Sequence, residues 1–204
     1  MLKNKQLTTN RAALQRTKLS ALGHLSTTPP EARLTELEFS LEHLVQAYYR
    51  WKSLCFRAVS DIALSGEDVA VLNTIRMGDD PKQLSEIASL LNRTDMANLQ
   101  YALRKLTKAG LIENTGSPSR RETRYRVTAA GREITDAYSR MRVDILMPLL
   151  NDSSAGNLDS AALVRAFSVL ARHYEDAGHY ALIGRRRNVA ASEDDASRGR
   201  ASRQ

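Results

Sequence analysis

The chain has 204 residues, of which 42% are hydrophobic, a content that supports one ordinary domain or an elongated two-part protein. Its single cysteine, Cys55, excludes an internal disulfide and fits a cytoplasmic protein in a reducing compartment. No apolar run approaches the roughly 20 residues that a membrane span requires, and the N-terminus lacks the apolar segment of a secretory signal, so we expect neither.

The net charge of +7 is unevenly distributed. Residues 1–30 carry five Lys and Arg and no acid, and residues 184–204 carry six Arg against three acids. Residues 93–128 carry eight Lys and Arg against three acids, inside a segment that is otherwise acidic. A basic segment in an acidic body is typical of a phosphate-binding surface. The alternative is a solvated charged surface without a partner.

The N-terminal third predicts a polar arm followed by a long helix. Residues 1–30 are basic and polar and predict a flexible arm. From Leu37 to Ile62 apolar residues recur at alternating steps of four and three, which predicts a helix within residues 31–64 that packs against another long helix. The stripe comprises Leu37, Leu41, Leu44, Tyr48, Trp51, Cys55, Ala58 and Ile62.

Residues 65–131 predict a compact middle domain. Ser65 is the expected N-cap of its first helix, with Asp68 at the reciprocal capping position. A short amphipathic helix over residues 85–91 precedes a break at residues 92–94. A longer helix then runs from Asp95 to Ala109 and stops at Gly110. Its apolar face is expected to pack on Ile87, Ala88 and Leu91, and consists of Leu99, Ala102, Leu103 and Leu106.

A basic hairpin follows. Leu111 and Ile112 start a strand, residues 116–119 form a turn, and an arginine-rich strand leads to Val127. Helix, turn, helix and hairpin in this order predict a winged helix in a mostly α, α+β protein. In that layout the second helix enters the major groove of double-stranded DNA and the hairpin contacts phosphate or the minor groove.

The C-terminal part predicts helices over residues 132–183. Thr128 is the expected N-cap of the first, and Pro148 is expected to kink or end it. The last helix is expected to stop at Gly184, before a disordered Arg- and Ser-rich tail over residues 184–204. Apolar residues recur at the same steps in these two helices, from Ile134 to Ile145 and from Leu163 to Ala181. A chain this short cannot cover all three stripes itself, so the pattern predicts a homodimer, with a monomeric bundle as the alternative. The expected dimer residues are Leu37, Leu41, Leu44, Leu163, Phe167, Leu170 and Tyr174.

The exposed N-terminal half of the longer helix is the expected surface for base contacts. Asn98 and Gln100 suit bidentate contact with adenine, and the small Ala97 permits close approach to a thymine methyl group. Each of these residues is also compatible with an ordinary polar helix surface. The predicted DNA-contacting residues are Arg93, Thr94, Met96, Ala97, Asn98, Gln100, Tyr101, Arg104, Lys105, Arg120, Arg121, Arg124 and Arg126.

These motifs resemble the MarR family of bacterial transcription regulators. The matching pieces are the helix-turn-helix, the KLTKAGLIE end of its second helix, the arginine-rich wing, and RYRVTAAGREI, in which Thr128 and Gly131 begin the next helix. The resemblance implies dimerisation through terminal helices, repression at a palindromic site, and release by a small-molecule effector. The family's wing carries an Asp that holds an arginine. Here Glu122 takes that role or the brace is absent.

Weaker signals leave alternatives open. Cys55 is a redox switch or a packed core residue, and its place in the stripe favours packing. His173, Asp176 and His179 hold a metal or are exposed, and exposure is favoured. Tyr48, Tyr49 and Trp51 line a ligand pocket or simply pack. No catalytic or phosphate-loop motif occurs, so we expect neither an enzyme nor a cofactor. The remaining hypotheses are a protein-interaction module and a sequence-neutral nucleic-acid binder.

Overall fold

A computed structural model describes residues 24–26, 28–116, 123–151 and 159–201, with side chains as far as Arg185. The chain divides into two compact units, Met1–Ile145 and Leu146–Gln204. The predicted class, mostly helical with a small antiparallel sheet, is confirmed. In chain order the elements are α1 (Pro29–Arg57), α2 (Gly66–Arg76), β1 (Lys82–Gln83), α3 (Leu84–Leu90), α4 (Met96–Lys108), β2 (Ile112–Thr115), β3 (Arg124–Val127), α5 (Ala129–Asn151) and α6 (Ser160–Ala201).

Helix α1 begins before the apolar stripe and ends before its last two members. Thr28 caps it, and the Thr28 backbone N–H donates to Glu31 Oε2 at 3.1 Å. The two prolines that follow fit the first turn, where a helix needs no N–H donor. The prediction that the stripe stays helical to Ile62 is wrong, because the helix ends at Arg57. Most of the predicted arm, residues 1–23, lies outside the described residues.

The core of the middle domain forms where α2 meets α1. Ser65 and Asp68 form the predicted reciprocal cap, at 2.9 and 3.1 Å. At Gly66 an added Cβ would lie 2.3 Å from the carbonyl oxygen of Tyr49, so only glycine lets the two helices approach this closely. The largest fully buried side chains are Phe56, Val69, Val71, Leu72, Ile75, Ile87, Leu99, Leu103, Leu106, Leu111 and Ile112.

The sheet has the strand order β1-β3-β2 and is antiparallel. Strand β2 pairs with β3 in the register Ile112↔Val127, and β1 pairs with β3 through Lys82↔Tyr125. Strand β1 was not predicted from the sequence, because two residues are too few to show an alternating pattern. Strand β3 lies against α2, whereas β2 lies against α4. Val127 belongs to the buried core, and Tyr125 packs against it.

The C-terminal helices extend further than their sequences predict. Thr128 accepts a hydrogen bond from the Gly131 N–H at 3.0 Å and opens α5, as predicted. The helix passes Pro148 and ends at Asn151. Helix α6 does not stop at Gly184, and its backbone is helical as far as Ala201, so the predicted helix end and disordered tail are corrected there. No helix among the described residues has both the length and the apolar character needed to cross a membrane.

Candidate nucleic-acid interface

Helix α4 has one buried face and one polar, exposed face. Its buried residues are the four predicted ones: Leu99, Ala102, Leu103 and Leu106. Asn92 and Gly110 flank the helix with left-handed backbones, at φ values of 51° and 70°. Asn and Gly are the residues that adopt this conformation at least cost. The predicted DNA-contacting residues that are exposed on or beside the helix are Thr94, Met96, Ala97, Asn98, Gln100, Tyr101 and Arg104.

Arg93 is held inside the domain. Its Nε and Nη2 donate to the Asp95 carboxylate at 2.8 and 2.5 Å, and Glu67 lies 3.7 Å from its Nη1. Its side chain is only 17% exposed. The hydrogen bond from Arg93 holds the pKa of the Asp95 carboxyl far below its ordinary value. Arg93 is therefore paired with two acids of the protein, and its predicted contact with DNA stays a prediction.

Lys105 also has an internal partner. Its Nζ lies 2.6 Å from Oδ2 of Asp68, a buried carboxylate that caps α2. Burial by itself raises the pKa of Asp68. Hydrogen bonds from Lys105 and Ser65 more than offset this effect, so the pKa lies below 3.8. The pair joins α4 to the start of α2. The Lys105 side chain is still 36% exposed, and its predicted contact with DNA stays a prediction.

The described part of the wing carries two exposed, braced arginines. Arg124 Nη1 donates to the Pro81 carbonyl at 2.9 Å and lies 3.6 Å from Glu86. Arg126 Nε donates to Glu113, its cross-strand partner, at 2.7 Å. Each guanidinium has five N–H donors, so these contacts leave donors for a phosphate. Neither of these contacts was predicted from the sequence. The cross-strand register of oppositely charged residues was the signal for the second.

The tip of the wing lies outside the described residues, which include neither Arg120 and Arg121 nor the predicted brace Glu122. Their assigned roles stay predictions.

The predicted dimer residues lie on apolar faces that are substantially exposed. Leu37, Leu44, Leu163, Phe167 and Tyr174 are between 37% and 50% exposed. Leu41 and Leu170 are half-buried. Isolated apolar residues are common on protein surfaces, but helical stripes of this length are not.

The predicted ligand-pocket residues separate into different environments. The exposed Tyr48 ring has the Lys52 ammonium 4.4 Å from its centroid, and the Tyr49 ring lies 5.8 Å away. Trp51 packs against the core. A pocket formed by these three side chains stays a prediction. His173 and Asp176 are exposed, and the described residues contain no group of three possible metal ligands.

Cys55 is buried, with only 2% of its surface exposed. Its Sγ donates to the Tyr138 carbonyl at 4.0 Å, and burial raises the pKa of its thiol. A thiol in this state is unreactive. We expect DNA binding to be insensitive to peroxide, and Cys55→Ala to lower the free energy of unfolding by about 1 kcal/mol. Gel-shift titration with and without peroxide tests this. Thiol-reversible loss of binding in the wild type, absent in Cys55→Ala, would show a redox switch.

Comparisons with known proteins agree with this geometry. Residues 64–131 match the family model described as a winged helix DNA-binding domain. The fold is shared with the M. tuberculosis transcriptional regulator MosR in complex with DNA, at 16% identity and a TM-score of 0.54. That alignment covers 68% of this chain and 95% of MosR. It is also shared with Streptococcus pneumoniae FabT in complex with DNA, at 17% identity and a TM-score of 0.54, covering 70% and 98%.

A MarR/EmrR family transcriptional regulator from Acinetobacter sp. ADP1 is a third match, at 15% identity and a TM-score of 0.53, covering 71% of this chain and 96% of that one. No curated protein matches the sequence. The chain therefore contains a winged helix domain. Its resemblance to MarR-type regulators is confirmed at the level of the fold.

Proposed function

We propose that this protein is a homodimeric, sequence-specific DNA-binding regulator of transcription that recognises a palindromic duplex site. The proposal rests on the two contrasting faces of α4. One face is fully buried, and the other presents Asn98, Gln100 and Arg104 to solvent. An amphipathic second helix of a helix-turn-helix places such a face in the major groove. Repression as the mode of action, and release by an effector, come from the resemblance to the MarR family.

The neighbouring wing and the apolar helices support the same proposal. Arg124 and Arg126 are exposed on β3, where a wing meets the backbone or the minor groove. The exposed stripes of α1 and α6 supply the apolar surface that a second copy would cover. Two copies related by a two-fold axis bind two half-sites of opposite orientation, which is why we expect a palindrome.

Selection from random genomic fragments, followed by enrichment sequencing, tests the proposal. We expect one recovered palindrome. Retention of DNA without a common motif would indicate a sequence-neutral binder. No retained DNA would indicate a protein-interaction module and contradict the proposal.

Variants of α4 separate base recognition from backbone contact. Asn98→Ala and Gln100→Ala should each cost about 1–3 kcal/mol on the selected site and relax preference at one base position. Arg104→Ala should weaken binding to all sequences and reduce the salt slope by about one unit. Fluorescence anisotropy on specific and non-specific duplexes gives both affinities. An unchanged affinity ratio in the Asn98 and Gln100 variants would show that α4 does not select the sequence.

A further inference from the structure

Asn98 does not project freely from α4. Its Nδ2 donates to Oδ2 of Asp95 at 3.2 Å. Both oxygens of the same carboxylate accept from the guanidinium of Arg93, at 2.8 and 2.5 Å. Arg93 is itself largely buried. The three residues form a hydrogen-bonded chain, which we call the Arg93–Asp95–Asn98 chain, at the exposed start of α4.

This chain determines which way the Asn98 amide faces. An ionised carboxylate has no donor, so only the Nδ2 side of the amide can face Asp95. The reversed amide would place Oδ1 against a negative oxygen. Because Arg93 holds the pKa of Asp95 far below its ordinary value, Asp95 is ionised at neutral pH. The ionised Asp95 carboxylate therefore fixes the orientation of the Asn98 amide.

The fixed orientation leaves one N–H and the Oδ1 acceptor of Asn98 available. Adenine presents one acceptor, N7, and one donor, the N6 amino group, in the major groove. The free groups of Asn98 match this pair. An amide that is already oriented also loses less rotamer entropy on binding than one that is free.

A capping hydrogen bond does not account for the aspartate at this position. The Asp95 side chain makes no capping hydrogen bond to the first turn of α4. A negative charge at a DNA-binding surface repels phosphates, so it costs affinity unless it is neutralised or serves another purpose. Arg93 neutralises the charge of Asp95, and the additional purpose of Asp95 is to hold the Asn98 amide.

We propose that Asp95 is a positioning residue for sequence specificity. Held by Arg93, it orients the Asn98 amide so that the preference for adenine at one base position depends on Asp95. This inference rests on the proposed function, in which Asn98 contacts a base edge.

The test compares Asp95→Ala, Asn98→Ala and the double variant. Affinities are measured for the selected duplex and for duplexes changed at each single position. We expect Asp95→Ala to lower the preference for adenine at one position by about ten-fold. Non-specific affinity should be equal or higher, because a negative charge is removed. In the Asn98→Ala background, Asp95→Ala should change the preference no further.

Three control variants exclude a merely structural effect. Asp95→Asn keeps an acceptor for Asn98 and should retain more of the preference than Asp95→Ala. Asp95→Ser removes the carboxylate but is a favourable N-cap residue, so it keeps the start of the helix if Asp95→Ala fails to fold. Glu133→Ala removes one exposed negative charge from α5, outside α4 and the wing, and should leave base preference unchanged.

The outcomes separate this inference from the proposed function. If Asn98→Ala leaves the preference unchanged at every position, Asn98 does not contact a base, and both the base-contact role and this inference are wrong. If Asn98→Ala relaxes the preference but Asp95→Ala and Asp95→Ser do not, only the positioning role is overturned. An equal effect of Asp95→Ala in both backgrounds would also overturn it, because Asp95 would then act without Asn98.

Discussion

The variant Asp68→Ala is expected to lower the free energy of unfolding by about 3 kcal/mol. The substitution removes the carboxylate that caps α2 and leaves the Lys105 ammonium without its partner at 2.6 Å. The Lys105 side chain is 36% exposed, so water solvates part of the ammonium that loses its partner. The expected loss of stability is therefore at the lower end of the range for breaking a buried ion pair. Urea denaturation followed by circular dichroism measures the change.

The contribution of Asp68 to the free energy of unfolding should decrease as the pH falls into the acid range. The pKa of Asp68 in the folded protein lies below the ordinary value of 3.8. Its ionised form therefore stabilises the fold at every pH above 3.8, and this contribution is lost as the pH falls through the lower folded pKa. The difference in unfolding free energy between the wild type and Asp68→Asn should be constant near neutrality and should shrink in acid.

Glu113→Gln provides the matched control for this pair. It breaks the Arg126–Glu113 ion pair, in which both side chains are about half exposed. An exposed pair contributes at most about 1 kcal/mol, so this variant should be nearly as stable as the wild type. Equal losses in Asp68→Ala and Glu113→Gln, or a gap between wild type and Asp68→Asn that widens in acid, would contradict the role assigned to Asp68.

Local patterns account for what the sequence predicted well. The period of Leu99, Leu103 and Leu106 defines the buried face of α4. Capping pairs such as Ser65 with Asp68 mark the helix starts, because they depend on residues three apart in sequence. The same reasoning explains the correct end of α4 before Gly110, which follows the C-cap Ala109 and has a left-handed backbone.

Pairings between distant residues account for what the sequence did not predict. Lys105 and Asp68 are 37 positions apart, and nothing in the local pattern indicates that they meet. Lys105 and Arg93 were therefore predicted only as DNA-contacting residues, and their carboxylate partners were not foreseen. The prediction that the last helix ends at Gly184 was wrong for another reason. Glycine in a helix interior costs only about 1 kcal/mol, which a helix of this length tolerates.

The double substitution Phe167→Asp and Leu170→Asp is expected to convert a dimer into a monomer. Phe167 is 44% exposed and Leu170 is half-buried, and both belong to the stripe that begins at Leu163. Burying two unpaired carboxylates in an apolar interface would cost far more than such a contact contributes. Sedimentation at micromolar concentration should show a two-chain species for the wild type and a single chain for the variant.

The loss of the dimer should appear in DNA binding as a loss of avidity. The monomeric variant should bind a full palindrome at least about 100-fold more weakly than the wild type, because linked half-sites no longer act together. Its affinity for a single half-site should be unchanged, since α4 and the wing belong to another unit of the chain. A parallel loss on the half-site would point to misfolding instead.

Val169→Asp is the matched control on the same helix. Val169 is apolar and 50% exposed, but it lies two residues beyond Phe167 and therefore on a different face of α6. The substitution adds one carboxylate, against two in the double variant, and does not enter the stripe, so the protein should remain a dimer and keep full affinity for the palindrome. A wild-type protein that sediments as a monomer would refute the homodimer. Dissociation by Val169→Asp, with Phe167→Asp and Leu170→Asp tolerated, would place the contact on another face of α6.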